Sequence, residues 1–353
     1  MMIGMKQKKS KDDILKKKFK MKYNMGKMKF IRWGLVLFIM TCVIIPINAQ
    51  YQTTITLTSG SPNATIKAAM EKNASLLLTE FNNAQGEKRS LSFKGINIDK
   101  SVASTLNVIW KTCPFRCDKM EIAERCLKTH SGEGGFQIRN ISVIMEPRKG
   151  DVFEDNRYQE IVLNYDTNGM ITDFCFAMPS SIYVDIMSSD REDEDLRKRS
   201  IVVDFVERFR TAYNRKDIAF LEKVFSDDAL IITGKVINTK KRDGSIGLPE
   251  VEYTSQTKKQ YLTRLSDAFK RNAWINVVFE DIKVNRHRRE ADIYGVKLIQ
   301  HWNSGTYSDK GYLFLLWDFK NGNNPQIHVR TWQPYEQTPE DQVYELRNFP
   351  IRD

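Results

Sequence analysis

The chain is poor in the residue types that most often carry chemistry, with 4 histidines and 5 cysteines among its 353 residues. There is no Gly-x-Ser-x-Gly elbow, no phosphate-loop lysine signature and no His-Glu-x-x-His helix. Those absences remove the usual serine-hydrolase, P-loop and helical zinc-protease readings. No histidine pair stands at ligand spacing, and Cys113, Cys117 and Cys126 match no zinc motif, so neither a metal nor a cofactor is expected. A cysteine hydrolase built on Cys113 or Cys117 with His130 would need an activating environment, and the sequence gives no sign of one.

Long apolar runs are scarce too, and the most prominent lies near the start. Met28-Lys-Phe-Ile-Arg32 is a short basic stretch, Trp33 to Ile47 is nearly all apolar, and Ala49 precedes Gln50. That is the pattern of a signal peptide over residues 1–49, cleaved after Ala49, with residues 1–27 as an extension upstream of a second start at Met28. The run is short beside the ~20 residues of a spanning helix, so no stable transmembrane span is expected after cleavage. The segment before Cys42 lacks the residues expected ahead of an acylated cysteine. The protein is therefore expected to be exported, to the periplasm or cell envelope of a bacterium.

The leader also accounts for the charge. The whole chain carries +11, but residues 1–49 hold 12 Lys+Arg and 2 Asp+Glu, which leaves 43 basic and 42 acidic residues in the remainder. A broad positive surface for nucleic acid loses its support, and no nucleic-acid partner is expected. Arg286-His-Arg-Arg289 and Lys240-Lys-Arg242 read as solvated turns. Four cysteines remain beyond the leader, Cys113, Cys117, Cys126 and Cys175; an oxidising compartment would allow one or two disulfides, in three alternative pairings, and the cysteines read as structural or free.

About 300 residues is long for one ordinary core and suggests two domains. The first is placed at residues 62–180 as a smaller α+β domain. It has helices over Ala64–Asn83 and Lys100–Trp110, and strands at Ser90–Gly95, Phe136–Met145, Tyr158–Tyr165 and Ile171–Met178. Asp166-Thr-Asn-Gly169 makes the last two a hairpin. Ser131-Gly-Glu-Gly-Gly135 precedes a strand and reads as a connector rather than a phosphate loop. The acidic run Ser188–Asp195 suits a helix start behind a serine cap better than a calcium loop, since it lacks a glycine and spaced ligands.

In the second domain Val202, Phe205, Val206, Phe209 and Tyr213 share one helical face. A break at Asn214–Asp217, a short second helix and a strand over Ala229–Ile237 follow. A loop containing Gly244 and Pro249 leads to a third helix, Thr254–Asn272, and then to strands near Trp274–Arg286, Ala291–Trp302, Gly311–Phe319 and Gln326–Trp332. The stretch Arg208 to Ile231, with its helix ending at Ala212-Tyr213, its break at Asp217 and its Asp227-Asp228 step into a strand, resembles the opening of the nuclear transport factor 2-like (NTF2-like) superfamily, which includes polyketide cyclase-like and ketosteroid isomerase-like proteins. Gly311 to Pro334 is similar to exported bacterial members of it. The resemblance covers about residues 197–335 and implies an α+β, cystatin-like fold, a cone-shaped curved antiparallel sheet packed on helices, over residues 190–335. Residues 336–353 are then a C-terminal tail.

Enzymes of that superfamily work inside the cone, with a carboxylate or histidine as base and a tyrosine or protonated acid holding the oxyanion, so the resemblance directs attention to ionisable groups on strands. The catalytic candidates are His301, Asp318 as an acid/base pair and Tyr312 as donor. The packing alternative makes His301 and His328 half-exposed sheet residues and pairs Asp318 with Arg330. Period-two alternation puts Tyr312, Phe314, Leu316 and Asp318 on one face of their strand and Leu313, Leu315, Trp317 and Phe319 on the other. It likewise groups His328, Arg330 and Trp332 opposite Ile327, Val329 and Thr331. Both faces of the Gly311–Phe319 strand are then covered, one by the helices and one by the first domain or a second subunit, which opens a homodimer through the sheet face. Candidate ligand-binding residues are Tyr213, Trp302, Phe314, Trp317, His328, Arg330 and Trp332. The favoured function is a non-catalytic ligand-binding or assembly domain, for a small apolar ligand or a protein partner; the alternative is a small-molecule isomerase or dehydratase.

Overall fold

The computed structural model describes residues 52–130, 134–188, 192–240, 246–305, 307–322 and 324–349. The segment 1–49 expected to be a signal peptide, with Cys42, residues 131–133 of the glycine-rich connector, 189–191 of the acidic run, and Lys241 and Arg242 lie outside these. The first half runs β1 (Thr54–Ser59), α1 (Ala64–Gly86), α2 (Lys100–Thr112), β2 (Phe115–Cys117), β3 (Glu121–Thr129), β4 (Gly135–Met145), β5 (Tyr158–Tyr165), β6 (Ile171–Phe176) and α3 (Ser180–Ile186). The second runs α4 (Asp193–Asn214), α5 (Ile218–Val224), β7 (Phe225–Lys240), β8 (Ile246–Gln256), α6 (Lys258–Arg271), β9 (Asn276–Arg286), β10 (Ile293–Asn303), β11 (Ser308–Asp318) and β12 (Gln326–Pro334).

Local chemistry sets several of these boundaries. Asn63 caps α1 by accepting from the Ile66 N–H, and Asp217 restarts the chain into α5 by accepting from the Phe220 N–H at 2.9 Å. Thr257 and Gln260 form a reciprocal capping box at the head of α6. Helix α4 does begin in the acidic run, with Asp193, Glu194 and Asp195 in its first turn, but its cap is Glu192 and makes no side-chain bond; the macrodipole rather than a serine favours that start. The strand expected at Ser90–Gly95 is irregular chain, whereas the loop expected around Pro249 is strand β8. Strand β8 pairs only with β7, and an edge is where a strand tolerates proline.

The strands form two six-stranded sheets. In the first the order is β1-β3-β4-β5-β6, with β2 also on β4; in the second it is β8-β7-β12-β11-β10-β9. Each is an antiparallel meander joined by one parallel strand. In the first sheet β1 pairs with the first long meander strand, β3; in the second β7 pairs with the last, β12, so the two halves differ in topology. Helices α1 and α2 cover one face of the first sheet through Leu77, Leu78, Phe81, Leu106 and Trp110. Cys113, Cys117, Cys126 and Cys175 are free and buried, so none of the three alternative pairings is formed and their reading as structural or free residues stands. Burial pushes the Cys113 thiol up to about 12, the reverse of what a nucleophile needs.

Helix α4 lies between the sheets and is buried on both sides. Val202, Phe205, Val206, Phe209 and Tyr213 enter the core of the second sheet, as their spacing predicts. The opposite stripe meets the first sheet through polar groups. Arg139 on β4 donates to both carboxylate oxygens of Glu207, at 2.5 and 2.9 Å, and the Gln137 amide donates to Asp204 at 3.1 Å. The Thr211 hydroxyl accepts from the Phe176 N–H at 3.0 Å. Arg210, lowered to about 10 by its burial, donates to the carbonyls of Ala177 and Val277 and to the Gln159 amide oxygen.

On the outer face of the second sheet Val278 packs into the core of the first half. The chain's own tail lies there, with Tyr344, Leu346 and Phe349 on Ile293, Phe314, Leu316 and Val329. Gln333 holds the tail by donating to the Gln342 carbonyl at 3.1 Å and accepting from the Tyr344 N–H at 2.7 Å. Among the described residues no helix is long and apolar enough to cross a membrane, and no group of three or more His, Cys, Asp and Glu side chains could hold a metal.

Candidate functional site

The ladder registers show which side chains share the inner face of the second sheet. Leu315 stands opposite Arg330, Leu313 opposite Trp332, Gln300 opposite Gly311, and Trp302 opposite Asp309. Leu313 and Leu315 belong to the core under α4, so Arg330, Trp332, Gln300, Asp309 and Trp302 point inward with them. The deep part of this face is filled by apolar side chains, including Phe209, Phe225, Leu298 and Trp317. Towards the Asn303–Ser308 end the lining changes to the polar and aromatic groups just named.

Three devices build this end. Gly311 provides floor: a Cβ there would lie 2.3–2.6 Å from the Trp332 indole, so the ring rests where any other residue would project. Helices supply the roof. Tyr213 and Tyr261 join their hydroxyls at 2.7 Å, and Trp302 stacks on Phe269 with centroids 6.4 Å apart and meets the Tyr213 ring at 5.8 Å. Charge comes from Arg330, 5 % exposed, whose guanidinium lies 4.8 Å above the Tyr261 ring.

Several buried polar atoms here have no hydrogen-bond partner: Nε and Nη1 of Arg330, Nε1 of Trp332, Oε1 of Gln300 and Oδ1 of Asp309. Buried polar groups are ordinarily satisfied; these five lie towards one end of the inner face, with Nε1 of Trp317 a sixth deep on it, and others, such as the Tyr165 hydroxyl, lie elsewhere in the fold. The other Asp309 oxygen accepts from the Tyr307 hydroxyl at 2.7 Å. Burial lifts the Asp309 carboxyl from 3.8 to about 6, while Tyr307 and the positive charge of Arg330 restrain it. Burial also raises the Tyr213 phenol well above its ordinary range, so it is a neutral donor or acceptor.

The Asp309 shift has a consequence for stability. A folded state that holds the proton more tightly than the unfolded chain loses stability as pH rises from about 4 to about 6; above that the whole penalty is present. Asp309→Asn is therefore expected to flatten that part of the profile and to be more stable than wild type at pH 7, by about 1–3 kcal/mol. Urea melts of both proteins at pH 4, 5, 6 and 7 check this; an unchanged difference across the series would contradict it.

The residues singled out from the sequence divide into groups. Tyr213, Trp302, Arg330 and Trp332 are assembled at the polar end. Trp317 is inward but sits deep against Phe205, 5.5 Å between ring centroids. Phe314 faces outward and stacks on Phe349 of the tail at 5.5 Å. His328 occupies a bulge: Leu316 pairs with Val329 and Trp317 with Ile327, which leaves His328 as the extra residue. The bulge sends Ile327 into the inner core and Val329 into the outer cluster, breaking the alternation expected along this strand. It leaves His328 half-exposed, 3.6 Å from Asp228 and 4.0 Å from Asp318.

His301, Tyr312 and Asp318 do not meet. His301 is outside the inner face and contacts Glu280 at 2.9 Å; Tyr312 packs on Tyr335 with centroids 4.9 Å apart. Asp318 pairs in the ladder with Ile293, about eight positions along β10 from His301, or roughly 25 Å at strand rise. No common point lies within hydrogen-bond reach of both, and Asp318 does not pair with Arg330, which faces the interior. Asp309, Gln300 and Gly311 are not among the residues singled out by the sequence pattern, which places Tyr261 only on the inward face of its helix. The available signal was the unbroken two-residue period from Asp309 through Gly311 to Leu313, which the strand's late assigned start concealed.

The order of its elements and the seating of its helices in the curled sheet give the second half an NTF2-like fold in an α+β chain. In part it is similar to an NTF2-like protein from Cytophaga hutchinsonii ATCC 33406, at 17% identity over 39% of this chain and 98% of that one, with a TM-score of 0.29. It is also similar to an NTF2-like protein of unknown function in nutrient uptake from Rhodospirillum rubrum ATCC 11170, at 14% identity over 38% of this chain and 97% of that one, with a TM-score of 0.27. No protein-family model and no curated protein matches the sequence.

Proposed function

We propose that this is an exported protein of a bacterial cell envelope whose second half binds a small molecule at the polar end of its curled sheet, without transforming it. The observation that carries the reading is the set of buried, unpartnered donors and acceptors on Arg330, Trp332, Gln300 and Asp309, enclosed by Tyr213, Tyr261, Trp302 and Phe269. Leaving such groups unpaired costs about 1–3 kcal/mol each, a cost that an occupant could offset. Export rests on the basic and apolar pattern of residues 28–49.

A second reading, acid/base catalysis of the isomerase or dehydratase type, is favoured by one observation. Asp309, lifted to about 6, is on the sheet face that is roofed by the helices carrying the neutral Tyr213–Tyr261 hydroxyl pair. The test is a thermal-shift and tryptophan-fluorescence screen of small aromatic and aliphatic compounds on wild type and on Trp302→Ala. Binding by wild type that is weakened at least about tenfold in the variant supports the site. If no compound shifts the melting temperature or the emission, the binding reading falls. Turnover of a bound compound that is lost in Asp309→Asn would replace binding with catalysis.

A further inference from the structure

We infer that the polar end of the second sheet is selective for an organic monocarboxylate with a planar apolar body, held by Arg330 and the Trp332 indole. This deepens the binding reading and rests on it. Arg330 is the argument's centre. It is 5 % exposed, has two nitrogens without an acceptor beside its hydrogen bond to the Tyr213 hydroxyl, and forms no ion pair among the described residues; of the carboxylates, Asp309 shares its face. The guanidinium is always charged, and a buried charge without a full counter-charge favours a ligand that brings one.

The arrangement also says where the anion and the body would lie. Trp332 Nε1 is a donor without an acceptor, above Gly311, and Gly311 is two residues from Asp309 on the same face. Two unpaired donor groups, one of them cationic, therefore lie on the inner face beside Gly311, where the indole itself fills the space a side chain would take. Around them the walls are aromatic faces: Tyr261 under the guanidinium, and Trp302 stacked on Phe269 beside Tyr213. Aromatic faces prefer planar apolar groups, and their edges do not accept strong hydrogen bonds, so they hold a body rather than a second anion. The Gln300 amide oxygen and Asp309 Oδ1 remain as acceptors, which favour a ligand that also carries one hydroxyl or N–H donor. A phosphate or other dianion fits less well, because a single arginine faces one carboxylate on this surface.

Entry needs the roof to yield. Helix α6 brings Tyr261, Leu262, Leu265 and Phe269 to the roof, with Tyr261 meeting the Tyr213 hydroxyl, the Arg330 guanidinium and the Phe225 ring.

The experiment compares 3-phenylpropionate with 3-phenylpropanamide, which has the same shape and no charge, by calorimetry on wild type, Arg330→Gln and Trp332→Phe. The expected result is that the acid binds at least about tenfold tighter than the amide, a ratio in keeping with one hydrogen bond to a charged group. Arg330→Gln is expected to erase that preference and Trp332→Phe to reduce it several-fold, with cooperative melting retained in the latter. Equal affinity for acid and amide in wild type would overturn the carboxylate assignment while leaving a binding site. Absence of binding by either compound, in a protein that melts cooperatively, would remove the site together with the function built on it. Should Arg330→Gln fail to fold, an acid preference unchanged in Trp332→Phe would overturn the proposal.

Discussion

Glu207→Ala is expected to be among the most damaging single substitutions in this chain, costing about 3–5 kcal/mol. Glu207 and its partner Arg139 are each 3 % exposed, and the carboxylate also accepts from the Met178 N–H at 2.8 Å. Burial lifts the Glu207 carboxyl above its ordinary range and Arg139 opposes that lift. Removing the carboxylate would leave a guanidinium in the contact between α4 and the first sheet facing the Gln137 amide oxygen, 3.2 Å away, the Tyr183 ring, 4.2 Å away, and the weaker pull of the Asp204 charge. A desolvated charge without its counter-ion is the origin of the cost. The double variant Arg139→Met with Glu207→Leu should recover most of the loss, because apolar replacements leave no charge to solvate. Denaturant melts of the two single variants and the double one check this. A loss below about 1 kcal/mol for Glu207→Ala would mean that water reaches the pair.

Trp317→Ala should cost a similar amount, about 3–5 kcal/mol, for a different reason. Trp317 is fully buried deep in the inner core, against Phe205, Tyr294 and the strand neighbours that follow from its register. Truncation leaves a cavity lined by side chains already packed on helix and sheet, which can relax only in part. The change should shift the urea midpoint without changing its slope. At a temperature where the variant remains folded, affinity for a ligand of the polar end should be nearly unchanged, because Trp317 lies at the opposite end of the inner face. Substituting Trp302 should do the converse. A Trp317→Ala protein of normal stability and lost binding would move the site into the deep core.

How much of this was legible is best seen on α4 and β12. The apolar stripe of α4 is periodic in the sequence, because burial against one core requires contacts every three to four residues. Its second buried stripe, Asp204, Glu207 and Thr211, reads as a solvated face until the first sheet brings Gln137, Arg139 and Phe176 to it. On β12 the alternation is legible from Val329 onward, but the bulge at His328 inverts the faces before it. An inserted residue leaves no mark in a hydropathy pattern. The candidate site was legible in Tyr213, Trp302, Arg330 and Trp332. Asp309 and Gln300 join them through strand pairing, and pairing register is a property of two distant segments.

By itself the sequence determined the α+β class, most of the helices, the meander of the second sheet and the apolar face of α4, since each is encoded in the period of neighbouring side chains. Only the tertiary structure decided that His301 and Asp318 stay apart while Arg330, Asp309, Gln300 and Trp332 converge. It also decided that the tail packs on the outer face of the sheet, at Phe314, Leu316 and Val329. Those outcomes depend on registers, one bulge and the packing of α4 between two sheets, which arise when segments far apart in the chain compete for the same buried surface.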